Sequence, residues 1–255
     1  MELENLTTLL ESLSEQKVTV DDAIAKLRDI PLSDLGFAKI DHHRSIRRGF
    51  PEAIFCQNKT TPQIIEITRS QIAHNETVLG TRASQGTLDV IRQEFPGARI
   101  NRIGRCFWHK SQEWRPLKNI YGKIVIVTAG TADLPVAEEA RTTCVALGHP
   151  VKLICDIGVA GIHRLYAHKE ALQDAAVIIV IAGMEGALPS VITGLVACPV
   201  IGVPTSVGYG SHFNGLVPLF AMLNSCASGM TVVNVDNGFG AACAAGMINR
   251  MLDRD

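Results

Sequence analysis

No two of the seven cysteines in this 255-residue chain have CxxC spacing, and the count is odd. Both facts argue against a zinc site and against a disulfide framework. Positive charge is not in excess either: 24 Lys and Arg stand against 25 Asp and Glu. That balance removes the electrostatic case for nucleic acid or an anionic membrane surface as partner. The opening MELENLTTLLESLSEQ is acidic and amphipathic, without the basic start and apolar core of a secretory signal. With cysteines sitting mostly in apolar segments, this predicts a cytoplasmic protein. The longest apolar stretch, Ala175 to Pro204, is broken by Glu185, Pro189, Pro199 and several glycines. It is therefore read as two buried strands around a short helix, not a membrane span. GxGxxG, the Walker A pattern and GxSxG are all missing, so no dinucleotide fingerprint, P-loop or serine triad is signalled.

What is present changes character near Tyr121. Before it, Leu3–Leu13 and Asp21–Leu27 carry apolar residues at helical spacing, with Thr19 or Asp21 as a cap for the second. Thr61-Pro62 fits a helix start running to about Asn75, and Thr87–Glu94 fits another that Pro96-Gly97 stops. From Tyr121 on, KIVIVTAGT, PVKLICDIGV, AAVIIVIAGM, CPVIGVPTSV and GMTVVNVDNG are β-branched runs separated by helical patterns. Continuous apolar runs suit parallel strands buried on both faces, and their alternation with helices implies a doubly wound sheet. The expected organisation is a smaller, mainly helical or α+β domain over residues 1–118, followed by a three-layer, flavodoxin-like α/β domain over 119–255.

Ligands of such sheets bind beyond the carboxyl ends of the strands. The loops there are 128–133, 156–163, 182–189, 204–215 and 234–241, and four of the five are rich in small polar residues or glycine that let N–H groups approach an anion. Charge scarcity points further. From Ala176 to Asn249 there is no Lys or Arg, and the only carboxylates are Glu185 and Asp236. Glu185 in low-dielectric surroundings would exchange protons near neutrality; the alternative is a helix-start carboxylate held by N–H groups. Asp133 is either a cap or a contact for a ligand hydroxyl. His163 and Arg164 either meet an anion or face solvent. Cys226, in Asn-Ser-Cys-Ala-Ser-Gly, has polar neighbours unlike most of the other cysteines, and is either packing or nucleophile. Asp41, His42, His43, Arg44, Arg47, Arg48 and Glu52 crowd together as a phosphate grip or an ion-pair network.

TAGTADLPVAEEA, GIHRL and AGMEGALPSVITGLVACPVIGVPTS resemble the turns of the PurE-type aminoimidazole ribonucleotide carboxylase or mutase family. Glu185 stands near that family's loop histidine, and Gly-Ile-His-Arg-Leu lacks its Ser-Ala pair. DHHRSIRRGFPEAIF, VTAGTADLPVAEEA, MEGALPSV, NSCASGMTVVNVDNGFGAA and the terminal Ile-Asn-Arg look like the LarB family, the pyridinium-3,5-biscarboxylic acid mononucleotide synthases of nickel-pincer nucleotide biosynthesis. This second resemblance runs over nearly the whole chain, with a departure at Phe55-Cys56-Gln57-Asn58-Lys59.

It implies carboxylation of the pyridinium ring of nicotinic acid adenine dinucleotide by carbon dioxide or bicarbonate, with hydrolysis of the phosphoanhydride to release AMP. The family's nucleophile falls on Cys226 and its active-site glutamate on Glu185. Substrate contacts fall on Thr128, Ala129, Gly130, Thr131 and Asp133, on His163 and Arg164, on Gly183 and Met184, and on Asn237, Gly238 and Gly240. Mg²⁺ is a candidate aid to phosphoanhydride cleavage, although no cluster of oxygen ligands is evident. PurE-type domains form octamers, so a homo-oligomer is expected. Two alternatives stay open: a PurE-type carboxylase or mutase, and a non-catalytic nucleotide-binding regulator.

Overall fold

The computed structural model describes residues 3–28, 33–41, 44, 50–118 and 120–251. It divides into two compact units, residues 1–100 with 106–114, and residues 101–105 with 115–255. Among the described residues no helix is long and apolar enough to cross a membrane.

The first unit carries helices α1 (Leu3–Ser14) and α2 (Val20–Arg28) and the two-residue pair β1 (Ser33–Asp34) and β2 (Lys39–Ile40). β3 (Ile54–Phe55), α3 (Thr61–Ala73), β4 (Val78–Thr81), α4 (Gln85–Glu94), β5 (Arg99–Asn101) and β6 (Cys106–His109) follow. Its sheet has the order β3-β4-β6-β5, with β4 parallel to β3 and antiparallel to β6. α3 starts where Thr-Pro foretells. Thr60 Oγ1 accepts from the Gln63 N–H at 3.4 Å while Gln63 Oε1 accepts from the Thr60 N–H at 2.9 Å, a closed capping box. α4 begins two residues before the expected Thr87, because the Ser84 hydroxyl accepts from the Thr87 N–H and caps the helix there. Ile64, Leu88, Ile91 and Phe107, all buried, fill the space between sheet and helices. The unit is thus α+β. His42, His43, Arg47 and Arg48 lie outside the described residues; of that cluster, Glu52 accepts from the Asp41 N–H at 3.0 Å and Arg44 lies over the Phe50 ring.

The second unit is a parallel sheet of five strands: β7 (Lys123–Thr128), β8 (Val151–Ile154), β9 (Ala175–Ala182), β10 (Val200–Pro204) and β11 (Met230–Val232). Its order is β11-β10-β9-β7-β8, and every pairing is parallel. All eight residues of β9 are buried, as a central strand covered on both faces requires. The two-residue period sorts its side chains. Ile179 and Ile181 pack with Ile124 and Ile126 against α5 (Leu134–Ala146) and α10 (Gly238–Met251). Ile178 and Val180 pack with Val125 and Val127 on the other face. There they meet α6 (Ile162–Tyr166), α7 (Lys169–Gln173), α8 (Leu188–Thr193) and α9 (Leu216–Leu223). Each buried Ile or Val contributes roughly 1.5–3 kcal/mol. The helical pattern 161–174 forms two short helices with a turn at 167–168, which leaves Leu165 and Leu172 both buried against the sheet.

The chain order reverses between β7 and β9, whose following loops leave on opposite faces and open a crevice at their carboxyl ends. The amino edge is clipped by Asn249, fully buried, which donates to the Gly122 carbonyl oxygen at 3.0 Å and accepts from its N–H at 3.3 Å. Beside it His149 is 3% exposed, and burial first and the Arg250 guanidinium second push its pKa from 6.5 down to about 4. The folded state holds this imidazole neutral, whereas the unfolded chain protonates it near pH 6.5. Its stabilisation is complete above pH 6.5 and is lost as pH falls towards 4, on the order of 3 kcal/mol across that window. Urea midpoints should fall between pH 7 and pH 5, and His149→Gln should flatten that slope; an equal slope in the variant would assign it to other groups.

Candidate active site

Four loops meet beyond the carboxyl ends of β7, β9, β10 and β11, and one carboxylate ties three of them. Asp133, 3% exposed, accepts from the Gly130 N–H at 2.9 Å and from the Thr205 hydroxyl at 2.8 Å, and it has a backbone hydrogen bond to Gly183. Burial pushes its pKa up; the Thr205 and Gly130 bonds pull it back, and the nearby Asp236 charge adds to the rise. Of the two readings of Asp133, the structure therefore favours the internal one. It closes back on Gly130 and leaves no exposed oxygen for a ligand.

Thr128 is fully buried and its hydroxyl accepts from the Asp156 N–H at 3.1 Å, so it holds the β7 loop to the β8 loop. The Ala129 N–H is spent on the Ile181 carbonyl oxygen. Thr131 is exposed at the tip of the turn. In the β9 loop a side chain on Gly183 would run into the Val207 carbonyl oxygen and the Thr205 hydroxyl, so only glycine allows this approach. Gly186, at φ +66°, closes the turn by donating to the Gly183 carbonyl oxygen at 3.0 Å. Between them Met184 (φ +52°, 39% exposed) and Glu185 project into solvent. Glu185 is thus exposed in the single chain, a correction to the low-dielectric setting that charge scarcity implied. The segment is poor in charge partly because it carries an apolar outer face, and not because every residue in it is enclosed.

The β11 turn engages its own donors. Asn237 accepts from the Gly240 N–H at 2.7 Å, Glu139 accepts from the Phe239 N–H at 3.2 Å, and Gly238 packs on the α5 backbone. These N–H groups cap α10 before any phosphate arrives. Arg164 pairs with Asp156 at 2.8 Å with both side chains partly exposed, and His163 is exposed beside it. Such a surface pair is worth at most about 1 kcal/mol, so the guanidinium is readily lent to an anionic ligand. Ser206, exposed, donates its N–H to Asp236 at 2.8 Å. Thr205 and Ser206 were not singled out from sequence; a Pro-Thr-Ser turn after an apolar strand is the signal that could have found them. Among the described residues no group of three His, Cys, Asp or Glu side chains could hold a metal ion.

All seven cysteines are free, and Cys155 and Cys226 are exposed. Burial first, then the Glu138 charge, pushes the Cys155 thiol up. Cys226 lies after α9 and before β11, in a loop pinned by a 2.8 Å contact between the Ser225 and Ser190 hydroxyls. Met230 is level with Val200 and hence with Ile178, four residues short of Ala182. At 3.3 Å per residue that is about 13 Å of strand. Cys226 thus precedes the amino end of β11, while Glu185 follows the carboxyl end of β9.

The family model described as "LarB/PurE-like N-terminal domain" matches residues 32–112, and "AIR carboxylase" matches residues 123–255. An uncharacterised protein of Methanocaldococcus jannaschii is 40% identical over 223 residues, 85% of either chain. The chain belongs to the LarB family. Its C-terminal domain is of the PurE type, and the LarB and PurE likeness makes it a member of a carboxylase family. A probable N5-carboxyaminoimidazole ribonucleotide mutase of Methanothermobacter thermautotrophicus is 32% identical over 133 residues, 49% of this chain and 37% of that protein. In this LarB-family chain the Asp133 junction sits where the two halves of the sheet diverge. Thr205→Val keeps the volume but leaves Asp133 Oδ1 without its donor. Chemical denaturation should show a loss of about 1–3 kcal/mol, and an unchanged midpoint would mean the junction is not a stabilising one.

Proposed function

We propose that this protein carboxylates nicotinic acid adenine dinucleotide at the pyridinium ring and hydrolyses its phosphoanhydride, giving pyridinium-3,5-biscarboxylic acid mononucleotide and AMP. The observation that carries the reading is the exposed thiol of Cys226, in a chain that matches the LarB and AIR carboxylase families along its two parts. A pyridinium is electron-poor and cannot attack carbon dioxide by itself. The Cys226 thiolate adds to ring C4, and the resulting dihydropyridine has enamine character at C5. The C5 electron pair forms the new bond to carbon dioxide. Glu185 then takes the C5 proton, the ring electrons return, and the C4–S bond breaks to release the thiolate. Water cleaves the phosphoanhydride; its hydroxyl ends on one phosphate and its proton leaves to solvent. A reducing cytoplasm suits a protein that needs Cys226 as a thiol.

The reading requires Cys226 and Glu185 to face one ring, and it includes a homo-oligomer. Leu216, Phe220 and Leu223, spaced along α9 between the two edges, are 46%, 56% and 59% exposed. Such a stripe is costly in water and is the surface a second copy would cover. A PurE-type reaction on aminoimidazole ribonucleotide is the second reading, favoured by the AIR carboxylase match over residues 123–255.

Incubation with nicotinic acid adenine dinucleotide and bicarbonate should yield the biscarboxylated mononucleotide and AMP by mass spectrometry. Cys226→Ala should abolish both products, and Glu185→Gln should slow carboxylation roughly 10²–10⁴-fold. Absence of both products sinks the reading; turnover of aminoimidazole ribonucleotide that survives Cys226→Ala would install the second. Phe220→Glu should shift the sedimentation coefficient to that of a smaller species and remove activity with it.

A further inference from the structure

Cys226 is the residue on which the proposed chemistry depends most, and no hydrogen bond among the described residues reaches its sulfur. Its orientation therefore comes from the backbone around it. Upstream, the end of α9 is closed twice. The Asn224 N–H donates to the Phe220 carbonyl oxygen at 3.0 Å, and the Ser225 N–H donates to that of Met222 at 3.2 Å. Downstream, the Ala227 N–H donates to the Ser225 hydroxyl oxygen at 3.1 Å, a small turn with Cys226 at its apex. The same hydroxyl makes the 2.8 Å contact with Ser190, in the first turn of α8. Ser225 Oγ thus joins the turn that carries Cys226 to a neighbouring helix. Leu188, Pro189, Ile192 and Thr193 of α8 are buried, so Ser190 presents its hydroxyl from a fixed element. A second point of closure lies at the other end of α9. A side chain on Gly186 would run into the backbone of Pro218, in the first turn of α9, so the turn that carries Glu185 rests against that helix.

We propose that Ser190 and Ser225 are positioning residues for the Cys226 nucleophile, an assignment that rests on the carboxylation chemistry above. In that chemistry the sulfur electron pair forms the S–C4 bond while a ring pair moves onto the pyridinium nitrogen, and the same bond breaks once the new carboxylate is in place. Both events need the sulfur over C4, roughly 3–3.5 Å away before bonding. An exposed thiol on a loose loop meets that geometry rarely. A turn closed by Ser225 and fastened to α8 by Ser190 keeps the thiol within reach of it. The two hydroxyls touch neither ring nor phosphates in this role, so their loss slows addition and leaves affinity alone.

Ser190→Ala removes the tie to α8 and keeps the Ala227 turn, whereas Ser225→Ala removes both. Folding of each is checked by circular dichroism, and Ser190→Ala carries the test if Ser225→Ala fails to fold. The full chain is mixed with nicotinic acid adenine dinucleotide in bicarbonate-free buffer, and the Cys226 adduct is followed by its dihydropyridine absorbance. Adduct formation should slow roughly tenfold in Ser190→Ala and further in Ser225→Ala. With bicarbonate present, kcat should fall in step while KM stays within about twofold of the unaltered value. Ser225→Thr keeps the hydroxyl and should restore most of the rate. Alkylation of Cys226 by iodoacetamide, read by peptide mapping, needs no fixed approach to the sulfur and should proceed in every variant as in the unaltered chain. Equal adduct rates in the folded variants would overturn the role of the pair and leave carboxylation standing. Alkylation that falls as far as adduct formation would overturn it too, because the pair would then govern the exposure of the thiol and not its aim. An unaltered chain that forms neither adduct nor products would overturn the carboxylase reading, and the role of the pair with it.

Discussion

One buried carboxylate decides how the carboxyl edge of the sheet is arranged. Asp133 is desolvated, which disfavours its charge, and the bonds from Gly130 and Thr205 offset that cost. The Thr205 bond and a further backbone bond from Gly183 join the β10 and β9 loops to the Asp133 turn, so the three loops around the switch point cannot shift independently. What remains outside this knot is the candidate surface for a ligand: Thr131, Met184, Glu185 and Ser206, all exposed. The strain visible at Met184, with φ at +52°, is held in place by the Met184 N–H bond to the Val207 carbonyl oxygen and by the Gly186 closure. Rigid loop bases with free tips suit a site that must meet a substrate in a fixed orientation.

The sheet was legible in the sequence because each strand of the second unit lies within a continuous apolar, β-branched run that ends in a turn of small residues, even where the strand itself is short, as β8 and β11 are. The strands of the first unit were not, since β3 has two residues and β4 four, too few to express an alternation. The helices there were read from chemistry instead, through Thr-Pro at the start of α3 and Pro-Gly after α4. Glu185 was found by charge scarcity, but its setting was misjudged for a definable reason. A run without Lys or Arg reads the same whether its apolar side chains fill a core or lie on the surface, and Leu216, Phe220 and Leu223 of α9 are of the second kind. Asp133 was seen as a loop carboxylate, yet its role depends on Thr205, 72 positions away, and no local pattern carries that pairing.

That uncharged surface has a consequence for the proposed chemistry. Addition of a thiolate to a pyridinium joins a negative and a positive group into a neutral adduct. In water both ions are solvated and little is gained by neutralising them; in apolar surroundings their loss is favourable. A Lys or Arg beside the ring would oppose this twice, by repelling the pyridinium and by holding the thiolate as an ion. The segment from Ala176 to Asn249, with no basic side chain, is suited to avoid both effects. The phosphates of the same substrate need the opposite environment. Cations such as Arg164 at the β8 edge stand outside that segment. Ring and phosphates thus call for different electrostatics, and the sequence keeps its basic residues away from the stretch where the ring would react.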